Sequence, residues 1–290
     1  MISVYTMKLN ASNSLGLISV LTLGGASFAS AQSAWLPQEK EFIVTPSYVF
    51  QKFDEFWLGT TKVNPAWGSA IKQHTVSVGL EYGISKNFAA DLTFGYTRSV
   101  AKFAGETLDG MMDTTAGIRY RVLDESEVKC PFAPTISLRV GGILAGSYKT
   151  STILPHAPGD GASGFETSML FGKAIGQTGF GLFGDVGYRN RAEGVPDDAF
   201  FSFGVYKQFF QKLTLSFAYR DVRGLSGIDI SDPGFAGRFT LTKENKKSLE
   251  VGIGFTDKHN FHYQVFGAMV IDGRNTGEST VMGTSASFTF

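Results

Sequence analysis

The stretch Ser285-Ala286-Ser287-Phe288-Thr289-Phe290 closes a chain of 290 residues. Apolar or aromatic residues alternate with small polar ones up to the final position. In an extended strand successive side chains point to opposite faces, so this pattern builds one apolar and one polar face. The termini of soluble domains usually fray and stay polar. A strand that finishes on an aromatic ring needs a partner strand and an apolar surround.

The same period runs through the chain. Val76, Val78, Leu80, Tyr82 and Ile84 alternate with Thr75, Ser77, Gly79, Glu81 and Gly83. Leu249, Val251, Ile253 and Phe255 alternate with Glu250, Gly252, Gly254 and Thr256. A soluble sandwich also alternates, but its strands run about 5 to 6 residues. Here the alternating segments are two to three times longer, and they carry charges in mid-strand on the polar face. Such strands fit a membrane barrel with its apolar face to lipid and its polar face to the lumen. The barrel must be closed, because hydrocarbon cannot satisfy an open sheet edge.

Turn lengths sort the two ends. Ile84–Asn87, Ile175–Thr178, Phe210–Lys212 and Asp257–Asn260 are tight, whereas Asp54–Ser69, Lys149–Ser163, Arg191–Asp198 and Arg223–Lys247 are long. Short periplasmic turns and long external loops are the outer-membrane pattern. Twelve spans follow: 40–52, 70–84, 87–103, 110–123, 133–149, 163–176, 178–192, 197–210, 212–224, 246–257, 259–272 and 278–290. Residues 235–242 alternate too. A full thirteenth span would break the up-down order, so they are placed in an external loop, as a strand extension at most. The predicted fold is all-β: an antiparallel, up-and-down transmembrane barrel of about 12 strands.

Residues 1–31 read as a cleaved secretory signal. Leu15–Phe28 is apolar but too short and glycine-broken to span a bilayer, and Ala29-Ser30-Ala31 is a cleavage site. Residues 32–290 would then form the barrel, with translation starting at Met1 or Met7. Composition agrees: charged residues make up 18%, below the usual level of about a quarter. Lys+Arg and Asp+Glu both number 26, so no basic excess steers the chain to nucleic acid. Cys130 is the single cysteine, which excludes an internal disulfide, and it reads as an unreactive thiol in a turn.

No catalytic or metal-binding motif emerges, and no cofactor is expected. His74 falls on the lipid-side register with Val76, His156 in a loop, His259 in a turn, and His262 shares a face with Gln264. Gly179-Phe180-Gly181-Leu182-Phe183-Gly184 matches a dinucleotide-binding pattern in letters only, since no helix follows. Its glycines are expected to make room for neighbouring side chains. The polar faces are more informative. Asp113, Arg119 and Arg121 share one face of a strand, and Asp185, Arg189 and Arg191 share another. Glu81, Asp91, Arg139, Glu166, Arg220 and Glu250 take the same side. Two readings are open: an ion-pair network that plugs and rigidifies the barrel, or a polar conduit whose charges set which solute passes. Asp113, Arg119, Arg121, Asp185, Arg189 and Arg220 are the candidate pore-lining residues. Loops 53–69 and 223–247 are long enough to fold inward.

Ala34-Trp35 before the first strand, the late turn Asp272-Gly273-Arg274-Asn275-Thr276-Gly277 and the terminal Phe290 together resemble a group of outer-membrane channels. These are the "MetA-pathway of phenol degradation" proteins and, more distantly, the long-chain fatty-acid and aromatic-hydrocarbon transporters. The resemblance implies a passive channel in the outer membrane for small solutes, including small apolar or aromatic compounds. The fatty-acid transporters carry an N-terminal plug, and Gln32–Glu39 is too short to match it. A final Phe also resembles the sorting signature that the barrel-assembly machinery reads. The partners implied are outer-membrane lipid, that machinery acting on the strand ending at Phe290, and an unidentified small solute. The alternatives to a channel are a closed structural or adhesion-type barrel with partner-binding loops and, third, an outer-membrane hydrolase.

Overall fold

The computed structural model describes residues 33–64, 70–150, 156–210 and 212–290. The expected signal segment lies outside them. Fourteen strands form one sheet: β1 Phe42–Leu58, β2 Thr61–Val63, β3 Ile71–Ser85, β4 Phe88–Ala101, β5 Glu106–Met111, β6 Thr114–Leu123 and β7 Thr135–Leu144. They continue as β8 Gly164–Ala174, β9 Phe180–Arg191, β10 Asp198–Phe209, β11 Leu213–Gly224, β12 Asn245–Thr256, β13 His262–Arg274 and β14 Gly277–Thr289. Two of these are not separate spans. β2 is a short return hairpin on the top of β1. β5 and β6 both pair with β4, and a break at Met112-Asp113 divides one span into two pieces. Twelve spans remain, each antiparallel to its sequence neighbours, in up-and-down order.

The ring closes between first and last strands. β1 pairs with β14 from Ile43↔Thr289 to Phe56↔Gly277. Phe42 and Phe290 exchange both backbone hydrogen bonds, at 3.1 and 2.9 Å. The terminal alternation is thereby explained: Met282 and Thr284 are exposed outward, while Gly283, Ser285 and Ser287 are buried inward. The ladder skips Thr45 and Pro46, since proline has no N–H to donate. A side-chain bond from Thr45 to Ser287, 3.0 Å, spans the gap.

The outer surface is apolar. Val76, Ile118, Val140, Val251, Val265 and Met282 are each more than half exposed. A soluble protein does not leave so continuous an apolar band bare, whereas a transmembrane barrel requires one. Aromatic pairs mark its rim at the short-turn end, with Phe88 and Tyr120 rings 4.8 Å apart and Phe261 and Phe288 5.0 Å apart.

Several boundaries differ from the sequence reading. β7 ends at Leu144, because the chain then leaves the wall to cover the mouth. β1 runs on to Leu58, so the first external loop begins later than Asp54. The turn after β6, residues 124–134, is longer than the other periplasmic turns; Pro131 and Pro134 cannot continue a ladder. Residues 239–241 form one 3-10 turn within the external loop, not a strand extension.

Candidate functional site in the barrel lumen

Inward-facing charges from successive strands meet in a chain of ion pairs. Glu81 of β3 accepts from Arg119 of β6, whose Nε lies 3.7 Å from Asp91 of β4. Arg139 of β7 binds Asp91 at 2.6 Å and Glu166 of β8 at 3.2 Å. Arg189 of β9 binds Glu166 at 2.7 Å and approaches Asp198 of β10 at 3.5 Å. Glycine makes this geometry accessible: a Cβ at Gly117 would lie 2.7 Å from the Arg139 guanidinium. Pairing is what permits burial, because removing one partner strands a charge in a low-dielectric interior.

The six candidate pore residues therefore divide. Arg119 and Arg189 belong to the chain of pairs. Asp113 sits at the break between β5 and β6, where it accepts from the Gly146 amide at 2.8 Å and the Tyr148 hydroxyl at 2.7 Å, and pairs with Arg191 at 3.3 Å. It anchors the external loop after β7 to the wall. Arg121 lies at the periplasmic edge, pairing with Asp124 at 3.0 Å and donating to the Lys86 carbonyl; it clamps two turns. Asp185 accepts from Ser202. Arg220 lies over the Phe200 ring, 5.1 Å from its centroid, with Arg189 5.4 Å from the same ring.

Inward aromatics lie flat on glycines of the neighbouring strand. A Cβ at Gly181 would overlap the Tyr206 ring, one at Gly187 the Phe200 ring, and one at Gly283 the Phe266 ring. The dinucleotide-like motif is thus a strand thinned to receive rings, as the sequence suggested. Gly179 opens it in the turn at φ 75°, the left-handed region that glycine enters without strain.

Both mouths are partly filled. At the periplasmic end Ser33-Ala34-Trp35 turn into the lumen. Arg119 donates to the Ser33 carbonyl at 3.2 Å, Ser137 to the Ala34 carbonyl at 2.7 Å, and the Trp35 indole to Glu125 at 3.0 Å. The Trp35 ring rests on Gly172 and meets Tyr206 edge-on at 6.3 Å. The segment is too short to match the plug of the fatty-acid transporters. Three residues occupy the mouth, because Trp35 supplies bulk and wall side chains bind the backbone. At the external end, residues 156–160 and 239–244 fold inward over a cavity of about 110 Å³. Its walls include Gln51, Gln73, His156, Asp160, Phe239 and Lys246. Sequence reading anticipated inward folding of 223–247 but missed Ser33–Trp35, Asp160 and Lys246. The lone Trp35 just before an alternating strand was the available signal; the loop residues had none.

The histidines form no catalytic group. His74 faces outward, its Nδ1 2.8 Å from the Tyr48 hydroxyl and its ring 5.1 Å from Phe50. His156 is buried under the external loop, 3.4 Å from Glu106. His262 faces the lumen and bonds Thr256 at 3.0 Å. Among the described residues no cluster of metal-ligating side chains occurs.

No protein-family model and no curated protein matches the sequence. Solved structures do match. An outer-membrane channel from Pseudomonas putida superposes with a TM-score of 0.68 at 12% identity, over 90% of this chain and 99% of that one. The KdgM porin gives 0.48 at 9% identity, over 85% and 99%. The translocator domain of the autotransporter NalP from Neisseria meningitidis gives 0.48 at 12%, over 88% and 90%. The first likeness establishes the shared barrel fold, in line with the resemblance read from the sequence.

Proposed function

We propose that this chain is a passive outer-membrane channel for small solutes, held shut here by its own N-terminal segment and external loops. One observation carries this reading: Ser33–Trp35, a segment outside the strands, occupies the periplasmic mouth through bonds to Arg119, Ser137 and Glu125. A stopper bound by three hydrogen bonds and one packed indole ring can leave without breaking the strand ladder. The printed description of the Pseudomonas putida structure as an outer-membrane channel supports the same reading. So does the external cavity above a polar lumen.

Export by a signal cleaved after Ala31, placement in the outer membrane, and handling of Phe290 by the barrel-assembly machinery belong to this proposal. So does the absence of covalent chemistry. Asp113, Arg119, Arg189 and Arg220 shape the lumen, whereas Arg121 holds periplasmic turns. The resemblance read from the sequence adds small apolar or aromatic compounds to the solute range. The chain of ion pairs favours the second reading, a closed structural barrel. Planar-bilayer recording separates the two. The channel reading expects discrete conductance steps, more frequent once residues 33–37 are deleted. Silence from both proteins would sink it.

A further inference from the structure

The lumen wall is electrically two-sided. The ion-pair chain runs from β3 to β10, and Arg220, Lys246 and Glu250 carry charge on to β11 and β12. Three adjacent strands differ. Inward side chains from Gln264 to Val270 on β13, Ser279 to Ser287 on β14 and Ile43 to Phe53 on β1 are all uncharged. Two further observations fall on this side. The external cavity meets this wall at Gln51, Val270 and Ser279, and Lys246, Asp160 and Glu244 line its other side. The N-terminal segment leans on the opposite wall, through Arg119, Ser137, Gly172 and Tyr206.

The two walls offer a solute different chemistry. On the charged wall Glu81, Asp91, Arg119, Arg139, Glu166 and Arg189 are engaged in ion pairs, and separating them strands a buried charge. On the uncharged wall the polar groups are hydroxyls and amides in weak mutual bonds, set around an apolar cluster of Val49, Phe266, Ala268 and Val281. Ser47 and Ser77 share one at 2.7 Å, Gln51 donates to Ser279 at 2.8 Å, and the Gln264 Oε1 atom is buried with no partner. Such groups can exchange a wall partner for a solute hydroxyl at little cost. An ion moving there would shed water and find no counter-charge.

We propose that solute passes along the uncharged β13–β14–β1 wall, and that the channel selects small uncharged solutes bearing hydrogen-bonding groups. This rests on the channel reading above. The charged wall is then scaffold, and the residues that set selectivity are Ser47, Gln51, Gln264, Ser279 and Ser285.

The test is cysteine accessibility in a Cys130→Ser background. Ser47→Cys and Ser285→Cys probe one wall; Ser137→Cys and Ser168→Cys probe the other. Heat-modifiable gel mobility checks that each near-isosteric variant folds. Each is placed in vesicles and treated with a charged, water-soluble thiosulfonate. Positions 47 and 285 should react, and their labelling should slow vesicle swelling in arabinose by about threefold or more. Positions 137 and 168 should stay largely unlabelled. Unlabelled protein should pass arabinose about tenfold faster than gluconate, which is of similar size but charged. Labelling spread evenly or concentrated at 137 and 168, or gluconate passing as fast as arabinose, overturns the inference while leaving the channel intact. No swelling with wild type and with the 33–37 deletion removes the channel reading and this inference together.

Discussion

At the scale of single residues, burial separates charges that hold the barrel from charges that decorate it. Arg139 is buried and pairs with Asp91 and Glu166. Arg139→Met should destabilise the refolded barrel by about 3–5 kcal/mol in urea unfolding, since two buried carboxylates each lose one of their two guanidinium partners. Arg121→Met, at a partly exposed pair, should cost about 1 kcal/mol or less by the same measurement. Glycine gives a second test. Gly283→Ala forces a methyl into the Phe266 ring, an overpacking cost of about 1–3 kcal/mol. The double variant with Phe266→Leu should recover much of it, whereas simple additivity would rule out that contact. This scale was only half legible in the sequence. Alternation put Arg139, Glu166 and Arg189 on one face correctly, because period two is geometric. It could not say that Arg121, on the same face as Arg119, falls beyond the last lumen layer, since that depends on where each strand enters the membrane.

At the scale of elements, the two stoppers are the parts expected to move. Trp35→Ala removes the ring that rests on Gly172 and Tyr206. It should raise open probability in single-channel recordings while leaving the unfolding midpoint nearly unchanged. The external stopper should respond to acid. Asp160, 27% exposed and paired with Arg191 at 3.4 Å, is pushed up to about 6 by burial; Arg191 opposes the shift, and Glu244, Asp113 and Asp198 add to it. A carboxyl whose pKa is raised in the packed loop binds its proton more tightly there than when the loop is open. Closure is thus favoured as pH falls through about 6 and disfavoured above it. Open probability should drop between about pH 7 and about pH 5, and Asp160→Asn should abolish that dependence. A flat profile in wild type would refute the link. The strands were readable because alternation continues for a dozen residues at a time. The stoppers were not: Ser33–Trp35 and residues 156–163 are positioned by distant wall residues, and nothing local in their sequence records those partners.

At the scale of the whole molecule, the ring's integrity depends on the pairing of its two end strands. Deleting Phe288–Phe290 removes the Val44↔Phe288 and Ile43↔Thr289 pairs and the Phe42–Phe290 bonds. The truncated chain should fold in lower yield, seen as loss of the fast-migrating band in unheated gels; full yield would show that the seam closes without them. Every other span in the barrel pairs with its neighbour in sequence. The seam alone joins residues such as Thr45 and Ser287, 242 positions apart. This gives assembly a clock. Hairpins can form as soon as both arms exist, but the ring waits for its last strand and bears the one large loop-closure entropy. Until then β1 is an open edge, able to pair with any strand presented to it. The Pro46 gap weakens that edge as a template at one point and so slows wrong partnerships as well as the right one.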